Sequence, residues 1–480
     1  MKFCEVNCLV KNKIKITFCG KSSEDVTNSM YLLEYNDKKV LLDCGLYQSS
    51  SPNLLKSYNI NHRNYKIPFK YLDAIIISHI HTDHQALLPY AFSKGATCPV
   101  YVPKNSLPIM RIMMEDSVKI FESDTEKLRR KYNINATMLY NQEDIEVALA
   151  HVQELGFHNK YQILDDTKLE LFHAGHIVNA SQIRLEFNIG KTIKSLGYTG
   201  DVGSNISKNY INDYEPLPYC DVIIGEATYS GDLRNHGMKD YLKDIEKIQT
   251  VVRECCLENN NKVVFGSFSL GRLQDILTEL YKLYSEDKSF AIPILVDAPL
   301  GIKISNVYDG IVEKNKDLWD KVKSWGNIVW IKEFETSKYY QQLKTPQIII
   351  STSNMLSAGR ILSWLKSCLP NTDNRICFCG YTGDSESLAW KIKNNKHYVL
   401  IDGERIRNKA GITCLSSFSS HASRQELLQR YSDMNYQKLF LVHSDFENKV
   451  IFAEIIKDEL SKKNKTSKVY TPTMGDEIKF

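Results

Sequence analysis

The sequence predicts an α/β protein in which sheets flanked by helices are followed by a mostly parallel sheet. In the first third, apolar and polar residues alternate, as around Ile14, Ile16 and Phe18, and this pattern is typical of half-buried strands. In the middle of the chain, helical stretches separate four short apolar runs at residues 263–265, 292–296, 348–350 and 376–378. Strand–helix alternation of this kind predicts βαβ units and therefore parallel strands.

Composition limits the class of protein. The 480 residues are 43% hydrophobic and 25% charged, which is ordinary for a globular protein. The net charge of +4 is too small for a polycation, so a nucleic-acid surface must be a local patch. No apolar run approaches the roughly 18 residues that span a bilayer, and the cysteines lack C-x-x-C spacing. We therefore predict a cytoplasmic protein with reduced thiols and no membrane contact.

The predicted elements of the first part follow in chain order. Two strand-like segments, residues 30–35 and 39–43, flank an Asn-Asp pair and predict a hairpin. Residues 74–77 are all apolar, which predicts a buried strand. Residues 105–155 have a helical, charged pattern, and strands return at residues 164–172.

The second part continues with helices between the apolar runs. Four helical stretches are predicted at residues 239–257, 273–284, 361–368 and 387–392. The chain then becomes strand-like after about residue 397. A helix at residues 424–431, a strand at residues 439–442 and a lysine-rich helix end complete the pattern.

The most informative motif directly follows the strand predicted at residues 74–77. The segment SHIHTDH contains His79, His81, Asp83 and His84, four metal-ligand types within six residues. At this histidine content, chance would produce H-x-H-x-D-H in roughly 4 of 10,000 such chains. Residues two apart in an extended segment project to the same side. Imidazole and carboxylate together predict a zinc site, with manganese or iron as alternatives.

Further residues of ligand type stand at other predicted strand ends. Asp43 ends an apolar strand, while His176 and Asp201 follow two later ones. Each alone is a weak signal, because a polar residue before a turn is usually an ordinary loop residue. Together with the histidine cluster they supply enough ligands for two ions.

The order of these residues resembles motifs one to four of the metallo-β-lactamase fold, here Asp43, His79, His81, Asp83, His84, His176 and Asp201. That fold serves lactamases, glyoxalases, thioesterases and nucleases, so this part of the resemblance indicates a scaffold and not a substrate.

Three later residues narrow the resemblance to the β-CASP nucleases. Glu226 in GEATY resembles motif A, His421 in FSSHA resembles motif B, and His443 in FLVHSD resembles motif C. Three further stretches are also similar to that family: residues 270–274, 296–299 and 355–360. The resemblance spans nearly the whole chain and is strongest to prokaryotic RNA-processing enzymes and to the pre-mRNA 3′-end endonuclease subunit.

The resemblance implies an αββα metallo-β-lactamase domain that is split by an inserted, mostly parallel βαβ domain, the β-CASP domain. The expected division is residues 1–215, 216–405 and 406–480. Motif C is histidine in RNA-cleaving members of the family and valine in many DNA-acting ones. His443 therefore favours single-stranded RNA, bound in the cleft between the domains.

The resemblance also implies a role for each site residue. Two Zn²⁺ ions, or Mn²⁺ in their place, are expected to hold an attacking hydroxide. His421 would protonate the leaving 3′-oxygen, with Glu226 on its other ring nitrogen, and Asp43 would orient the histidine loop. The expected ligands are His79, His81 and His176 for one ion, Asp83, His84 and His443 for the other, and Asp201 as the bridge.

Two other functional classes stay open. One is a small-molecule metallo-hydrolase on the same scaffold, and the other is a non-catalytic scaffold subunit of an RNA-processing complex. Endonuclease or 5′-exonuclease action, a homodimer and the protein partners are not decided by these residues. Tyr229, Phe268 and Phe418 are either base-stacking aromatics or core residues.

Overall fold

A computed structural model describes most of the chain, namely residues 13–49, 53–206, 208–231, 237–353, 356, 358–380, 382–383, 385–394 and 397–480.

The strands, numbered in chain order, are β1 (Lys15–Phe18), β2 (Tyr31–Tyr35), β3 (Lys38–Leu42), β4 (Ala74–Ile76), β5 (Val100–Pro103), β6 (Val152–Leu155), β7 (Tyr161–Leu164), β8 (Thr167–His173), β9 (Ser181–Ile189), β10 (Thr192–Tyr198), β11 (Cys220–Glu226), β12 (Lys262–Ser267), β13 (Ile294–Val296), β14 (Ile328–Trp330), β15 (Gln347–Thr352), β16 (Arg375–Phe378), β17 (Tyr398–Ile401), β18 (Glu404–Arg407), β19 (Gly411–Cys414), β20 (Tyr436–Val442), β21 (Lys468–Tyr470) and β22 (Glu477–Lys479).

The α-helices are α1 (Leu54–Asn61), α2 (Thr82–Gln85), α3 (Leu88–Ser93), α4 (Leu107–Tyr132), α5 (Gln142–Leu149), α6 (Met238–Val252), α7 (Arg272–Tyr284), α8 (Pro299–Val307), α9 (Lys316–Lys323), α10 (Phe334–Gln342), α11 (Ile361–Cys368), α12 (Leu388–Asn394), α13 (Arg424–Asp433) and α14 (Phe446–Lys462). No helix in the described part of the chain is both long enough and apolar enough to cross a bilayer.

Two seven-stranded sheets pack face to face. The first has the strand order β22-β1-β2-β3-β4-β5-β6 and the second the order β21-β20-β11-β10-β9-β8-β7. Side chains such as Phe18, Tyr31, Phe187 and Phe440 fill the space between the sheets and are fully buried. Each such side chain contributes roughly 1.5–3 kcal/mol when it leaves water.

Helices cover the outer faces of both sheets. Ile109 and Met114 of α4 belong to the same apolar cluster as Ile75 of the first sheet, and Phe452 of α14 belongs with Leu439 of the second. The layers are therefore helix, sheet, sheet and helix. The predicted αββα arrangement is confirmed.

A third sheet is inserted between β11 and β20. Its order is β14-β13-β15-β12-β16-β19, and every strand pair in it is parallel. Helices cover both faces of this sheet. Their buried side chains, such as Leu273 on one face and Trp364 on the other, belong to the apolar clusters of the sheet. The predicted parallel βαβ domain is confirmed. Sheet membership changes at the end of β11 and at the end of β19, and the predicted division at residues 215 and 405 stays a prediction.

The structure divides residues 105–155, for which the sequence predicts a helical pattern, into two helices and a strand. Helix α4 ends where Asn133 takes a left-handed backbone with φ 51°, which terminates a helix. Asn141 then caps α5 together with Asp144, and β6 follows. Asparagine is favoured both in the left-handed conformation that ends a helix and at the N-cap that begins one. Asn133 and Asn141 therefore divide the segment into two helices.

Candidate metal centre

Strand ends from both seven-stranded sheets bring the predicted ligands to one edge of the sandwich. The end of β4 leads into His79 and His81, and α2, which begins at Thr82, carries Asp83 and His84. The ends of β8, β10 and β20 supply the remaining ligand-type residues, which are His176, Asp201 and His443. The ligands thus come from chain segments that only the fold brings together.

One group consists of His79, His81, His176 and Asp201, whose donor atoms all lie within 4.8 Å of one another. His81 Nδ1 lies 3.1 Å from the Nε2 atoms of both His79 and His176. These two Nε2 atoms lie 3.6 Å from Asp201 Oδ2. Three imidazoles and a carboxylate oxygen therefore face one small space, which is a common zinc donor set.

A second group consists of Asp83, His84 and His443. Asp83 Oδ2 lies 3.7 Å from His84 Nε2 and 3.3 Å from His443 Nε2. Asp201 Oδ1 lies 3.4 Å from His84 Nε2 and 3.6 Å from His443 Nδ1. The two carboxylate oxygens of Asp201 therefore face different groups.

Three buried atoms of the ligand residues are left without a hydrogen bond in the described part of the chain. They are His84 Nε2 and Asp201 Oδ1, which face the ligand groups, and His176 Nδ1. A buried polar atom without a partner is costly, and native proteins rarely contain one unless an ion or water completes it. The donor atoms and their arrangement fit a metal ion.

Burial sets the charge of the histidines in the first group. It lowers the pKa of His79 and His176 well below the usual value and that of His81 to about 4. All three imidazoles are therefore neutral near pH 7, as metal binding requires. Burial opposes the ionisation of Asp201, but the nearby His443 and His84 outweigh it and hold the pKa of Asp201 well below its usual value.

Asp43 lies behind the histidines and does not face the centre. Its carboxylate accepts hydrogen bonds from the Ser78 backbone N–H (2.7 Å), the Ser78 hydroxyl (2.8 Å) and the Tyr198 hydroxyl (2.6 Å). It also lies 2.6 Å from His84 Nδ1, which fixes that nitrogen as the donor. His84 Nε2 consequently points its lone pair into the centre.

Glu226 and His421 lie on the open side of the centre. Buried Glu226 accepts hydrogen bonds from the backbone amides of Val202 (2.8 Å) and Thr228 (3.0 Å). Its Oε1 also lies 3.3 Å from His421 Nδ1. His421 Nε2 lies 4.0 Å from Asp201 Oδ2, and the His421 side chain is 19% exposed. The His421 ring therefore lies between the metal-ligand groups and the solvent.

The structure brings all ten predicted site residues together. Seven form the two ligand groups, Asp43 supports one of them, and the pair of Glu226 and His421 borders the opening.

Three parts of the chain match described families. Residues 273–392 match the Beta-Casp domain. Residues 405–472 match the Zn-dependent metallo-hydrolase RNA specificity domain. Residues 14–257 match the Anti-Pycsar protein Apyc1, and this match contains the histidine cluster.

Several relatives match over most of the chain. A ribonuclease of Thermus thermophilus is 27% identical over 91% of this chain and 94% of its own. The RNase J-like protein of Methanocaldococcus jannaschii is 27% identical over 88% of this chain and 91% of its own. Integrator complex subunit 11 of Danio rerio is 24% identical over 93% of this chain and 72% of its own. This chain belongs to the β-CASP family of metallo-β-lactamase-fold nucleases.

A solved structure shares the fold of this β-CASP nuclease. The crystal structure of a protein of unknown function from Enterococcus faecalis V583 has a TM-score of 0.55 and 12% identity over 98% of this chain and 100% of that one. The predictions of the family and of a metal-dependent nuclease acting on RNA are confirmed by the domain and sequence matches.

Two supporting residues of the β-CASP nuclease were not predicted. Ser78 donates its hydroxyl hydrogen to Asp43 and lies 3.1 Å from His79 Nδ1, so it fixes the tautomer of His79. Tyr198 donates to Asp43 from the end of β10. In the sequence, Ser78 directly precedes the histidine motif and Tyr198 directly precedes Thr-Gly-Asp. These positions alone do not indicate a role, which follows only from the hydrogen bonds to Asp43.

The loop of His421 is flanked by basic side chains. Lys208 Nζ donates to the Ser419 carbonyl (3.3 Å), and Arg272 Nε donates to the Phe418 carbonyl (3.1 Å). The Arg272 guanidinium also stacks over Phe268, 4.6 Å from the ring centroid. Phe418 is buried and is a core residue, whereas Phe268 is 44% exposed.

The stretch at residues 355–360 lies partly outside the described residues, which include 356 and 358–360. Arg360 donates to Asp297 Oδ1 (2.7 Å), and the Trp364 indole donates to Asp297 Oδ2 (2.8 Å). Ser351 donates to the Asp297 carbonyl. Asp297, which follows β13, therefore links β15 and the start of α11 in one hydrogen-bond network.

Proposed function

We propose that this chain hydrolyses phosphodiester bonds of single-stranded RNA with two metal ions, Zn²⁺ or alternatively Mn²⁺. The observation that carries the proposal is the geometry of Asp201, whose two carboxylate oxygens face separate groups of ligand atoms. Such an arrangement suits a pair of ions that share one carboxylate. The metal-dependent RNA nuclease follows from the family, and the number and identity of the ions belong to this proposal.

We assign one ion to His79, His81 and His176 and the other to Asp83, His84 and His443, with Asp201 shared between them. Bound there, the ions would lower the pKa of water and offset the negative charge that develops on the phosphate. Asp43 holds His84 Nδ1 and thereby keeps the opposite ring nitrogen directed at the centre.

His421 is the proposed proton donor to the leaving 3′-oxygen. Its Nδ1 is held by Glu226, which leaves Nε2 on the open side of the centre. The backbone amides of Val202 and Thr228 fix the Glu226 carboxylate, so the imidazole has a defined orientation. A histidine oriented in this way can donate a proton to a leaving oxygen.

We also propose that the three-part division of the chain follows the sheets. The inserted domain would begin after β11 and end after β19, and the RNA strand would lie between it and the metal centre. The basic side chains Lys208 and Arg272 beside the His421 loop support this route. The homodimer and the cytoplasmic location stay predictions.

The proposal is tested with RNA labelled separately at each end and with DNA of the same sequence. Each is incubated with metal-free protein, and then with added Zn²⁺ or Mn²⁺. We expect metal-dependent cleavage of the RNA and much slower cleavage of the DNA. The two labels distinguish internal cuts from stepwise removal of 5′ nucleotides.

The same assay separates the alternatives. A metal-loaded protein that binds RNA without cutting it would favour the non-catalytic scaffold. A protein that does not cleave RNA but hydrolyses small esters or thioesters would favour the small-molecule hydrolase. Asp201→Asn is the matched inactive control, because it keeps the shape of the side chain but removes the shared charge.

A further inference from the structure

A third group of ligand-type side chains lies outside the proposed catalytic centre. His158 lies in the turn between β6 and β7, His173 ends β8, and Glu215 precedes β11. One donor atom from each lies within 4.8 Å of the other two. None of the three contributes to the two groups around Asp201.

The carboxylate of Glu215 is fixed by the end of β8. The His173 backbone N–H donates to Glu215 Oε2 (3.0 Å), and the Glu215 backbone N–H donates to the His173 carbonyl (3.1 Å). Gln182 also donates to the Glu215 carbonyl. The carboxylate is therefore held at a defined place beside the two rings.

The histidine rings are held as well. His173 stacks on Phe157, with ring centroids 3.9 Å apart and planes 23° apart. The His158 backbone N–H donates to the Leu171 carbonyl (3.0 Å), which anchors the turn to β8. The Asn212 side-chain nitrogen lies 3.4 Å from each ring nitrogen of His173, so this amide borders the same space.

The spacing is close to what a tetrahedral ion needs. With zinc–ligand distances of about 2.0–2.1 Å, neighbouring donor atoms lie about 3.3 Å apart. His158 Nε2 and Glu215 Oε2 are 3.5 Å apart. The partial exposure of His158 and Glu215 leaves room for water at a fourth position. Two imidazoles and one carboxylate are a donor set that zinc accepts.

We propose that His158, His173 and Glu215 form a third transition-metal site, which binds Zn²⁺. His173 stands three residues before His176, so an ion there would tie the turn after β6 to the strand end that carries a catalytic-centre ligand. The neighbouring segment also reaches the inserted domain, where Lys314 Nζ donates to the Ile211 carbonyl (3.1 Å). The site would brace this junction and take no part in the chemical step.

The test is equilibrium dialysis of the full chain against a fixed free Zn²⁺ concentration, followed by measurement of bound zinc. The variants are His158→Ala and Glu215→Gln. The matched control is His151→Ala, a half-buried histidine outside all three ligand groups whose Nδ1 lies 2.9 Å from the Val147 carbonyl. We expect each site variant to bind one zinc fewer per chain than the wild type and the control.

A second measurement uses Co²⁺ in place of Zn²⁺. The visible absorption of the wild type minus that of His158→Ala should be the spectrum of a single bound Co²⁺, and the His151→Ala variant should retain it. Equal zinc content and identical Co²⁺ spectra in the wild type and His158→Ala would overturn the proposal. A variant that loses thermal stability without losing metal would reduce the cluster to a packing contact. Because the site takes no part in the chemical step, His158→Ala should still cleave RNA. Failure of the third site therefore leaves RNA cleavage intact, whereas failure of the proposed function means that the wild type does not cleave RNA.

Discussion

At the scale of single residues, the centre depends on which ring nitrogen each histidine turns inward. Each of three histidine Nδ1 atoms lies within hydrogen-bond distance of an oxygen atom. The partners are Asp43 for His84, Ser78 for His79 and Glu226 for His421. Each partner thereby leaves Nε2 for the centre. Asp43 and His443 have positive φ angles of 55° and 56°, an uncommon conformation for residues other than glycine. Local strain of this kind is concentrated where side chains must be aimed.

Replacement of His421 by alanine tests its role as the proton donor. Because His421 belongs to neither ligand group, the variant should keep its metal content. Its cleavage rate should fall by roughly 10²–10⁴-fold, the usual contribution of a positioned acid. The measurement is single-turnover cleavage at saturating enzyme, with metal content determined on the same sample.

A substrate with sulfur in place of the 3′-bridging oxygen makes this test sharper. A thiolate leaves without a proton, so the sulfur substrate should restore much of the lost rate in His421→Ala and change the wild type little. If the variant is equally slow on both substrates, His421 positions the RNA or supports the ligand groups instead.

At the scale of elements, strand β20 returns to the second sheet from beyond the inserted domain. It pairs in parallel with β11 and ends at Val442, so that His443 follows directly. The His443 backbone N–H donates to the carbonyl of Ser22, which lies in the short 3-10 turn between β1 and β2 of the first sheet (2.5 Å). One ligand of the centre therefore depends on the correct docking of the last part of the chain.

Replacement of His443 by alanine should weaken mainly the ion assigned to Asp83 and His84. The other ion keeps three imidazoles and Asp201, whereas this one loses a third of its own ligands. We expect zinc content to fall toward one ion per catalytic centre and cleavage to fall with it, while the circular dichroism spectrum stays unchanged. A variant that keeps two ions and full RNA cleavage would contradict the assignment of motif C.

The loop after β3 requires a glycine for a close approach to α2. A Cβ atom on Gly45 would lie 1.6 Å from the Asp83 carbonyl oxygen, which neither backbone can accommodate without moving. Gly45→Ala should therefore lower the free energy of unfolding by roughly 1–3 kcal/mol or more. Denaturant unfolding measures it, and Gly326→Ala is the control because its Cβ would meet nothing within 4 Å. Equal stability of the two variants would contradict the packing argument.

At the scale of the whole molecule, the metal centre joins the two halves of the sandwich. The histidine cluster follows β4 of the first sheet, whereas His176, Asp201 and His443 follow strands of the second. Ions that bind only the folded arrangement stabilise it by mass action. The centre is consequently part of the structural support of the fold as well as the proposed site of chemistry.

Addition of Zn²⁺ to metal-free protein should raise the thermal unfolding temperature. At a free concentration of 100 times the dissociation constant, one site contributes about 2.7 kcal/mol. The experiment is best done in His158→Ala, so that the proposed third site does not contribute. Ca²⁺ is the control, because it prefers all-oxygen ligands and should have little effect. An equal rise with both ions would mean that the centre does not act as a nitrogen-rich site.

The sequence by itself determined the class of the fold and the ligands that stand close together in the chain. His79, His81, Asp83 and His84 are informative because local backbone geometry alone places them at one strand end. The period-two pattern and the strand–helix alternation likewise report on neighbours within a few residues. The tertiary structure decided which distant residues meet. It placed His421 Nδ1 3.3 Å from Glu226 Oε1, a pair that only the family resemblance had indicated. It also directed Ser78 and Tyr198 at Asp43 and brought His158, His173 and Glu215 together. These contacts depend on how distant segments pack, which the local pattern of a single sequence does not determine.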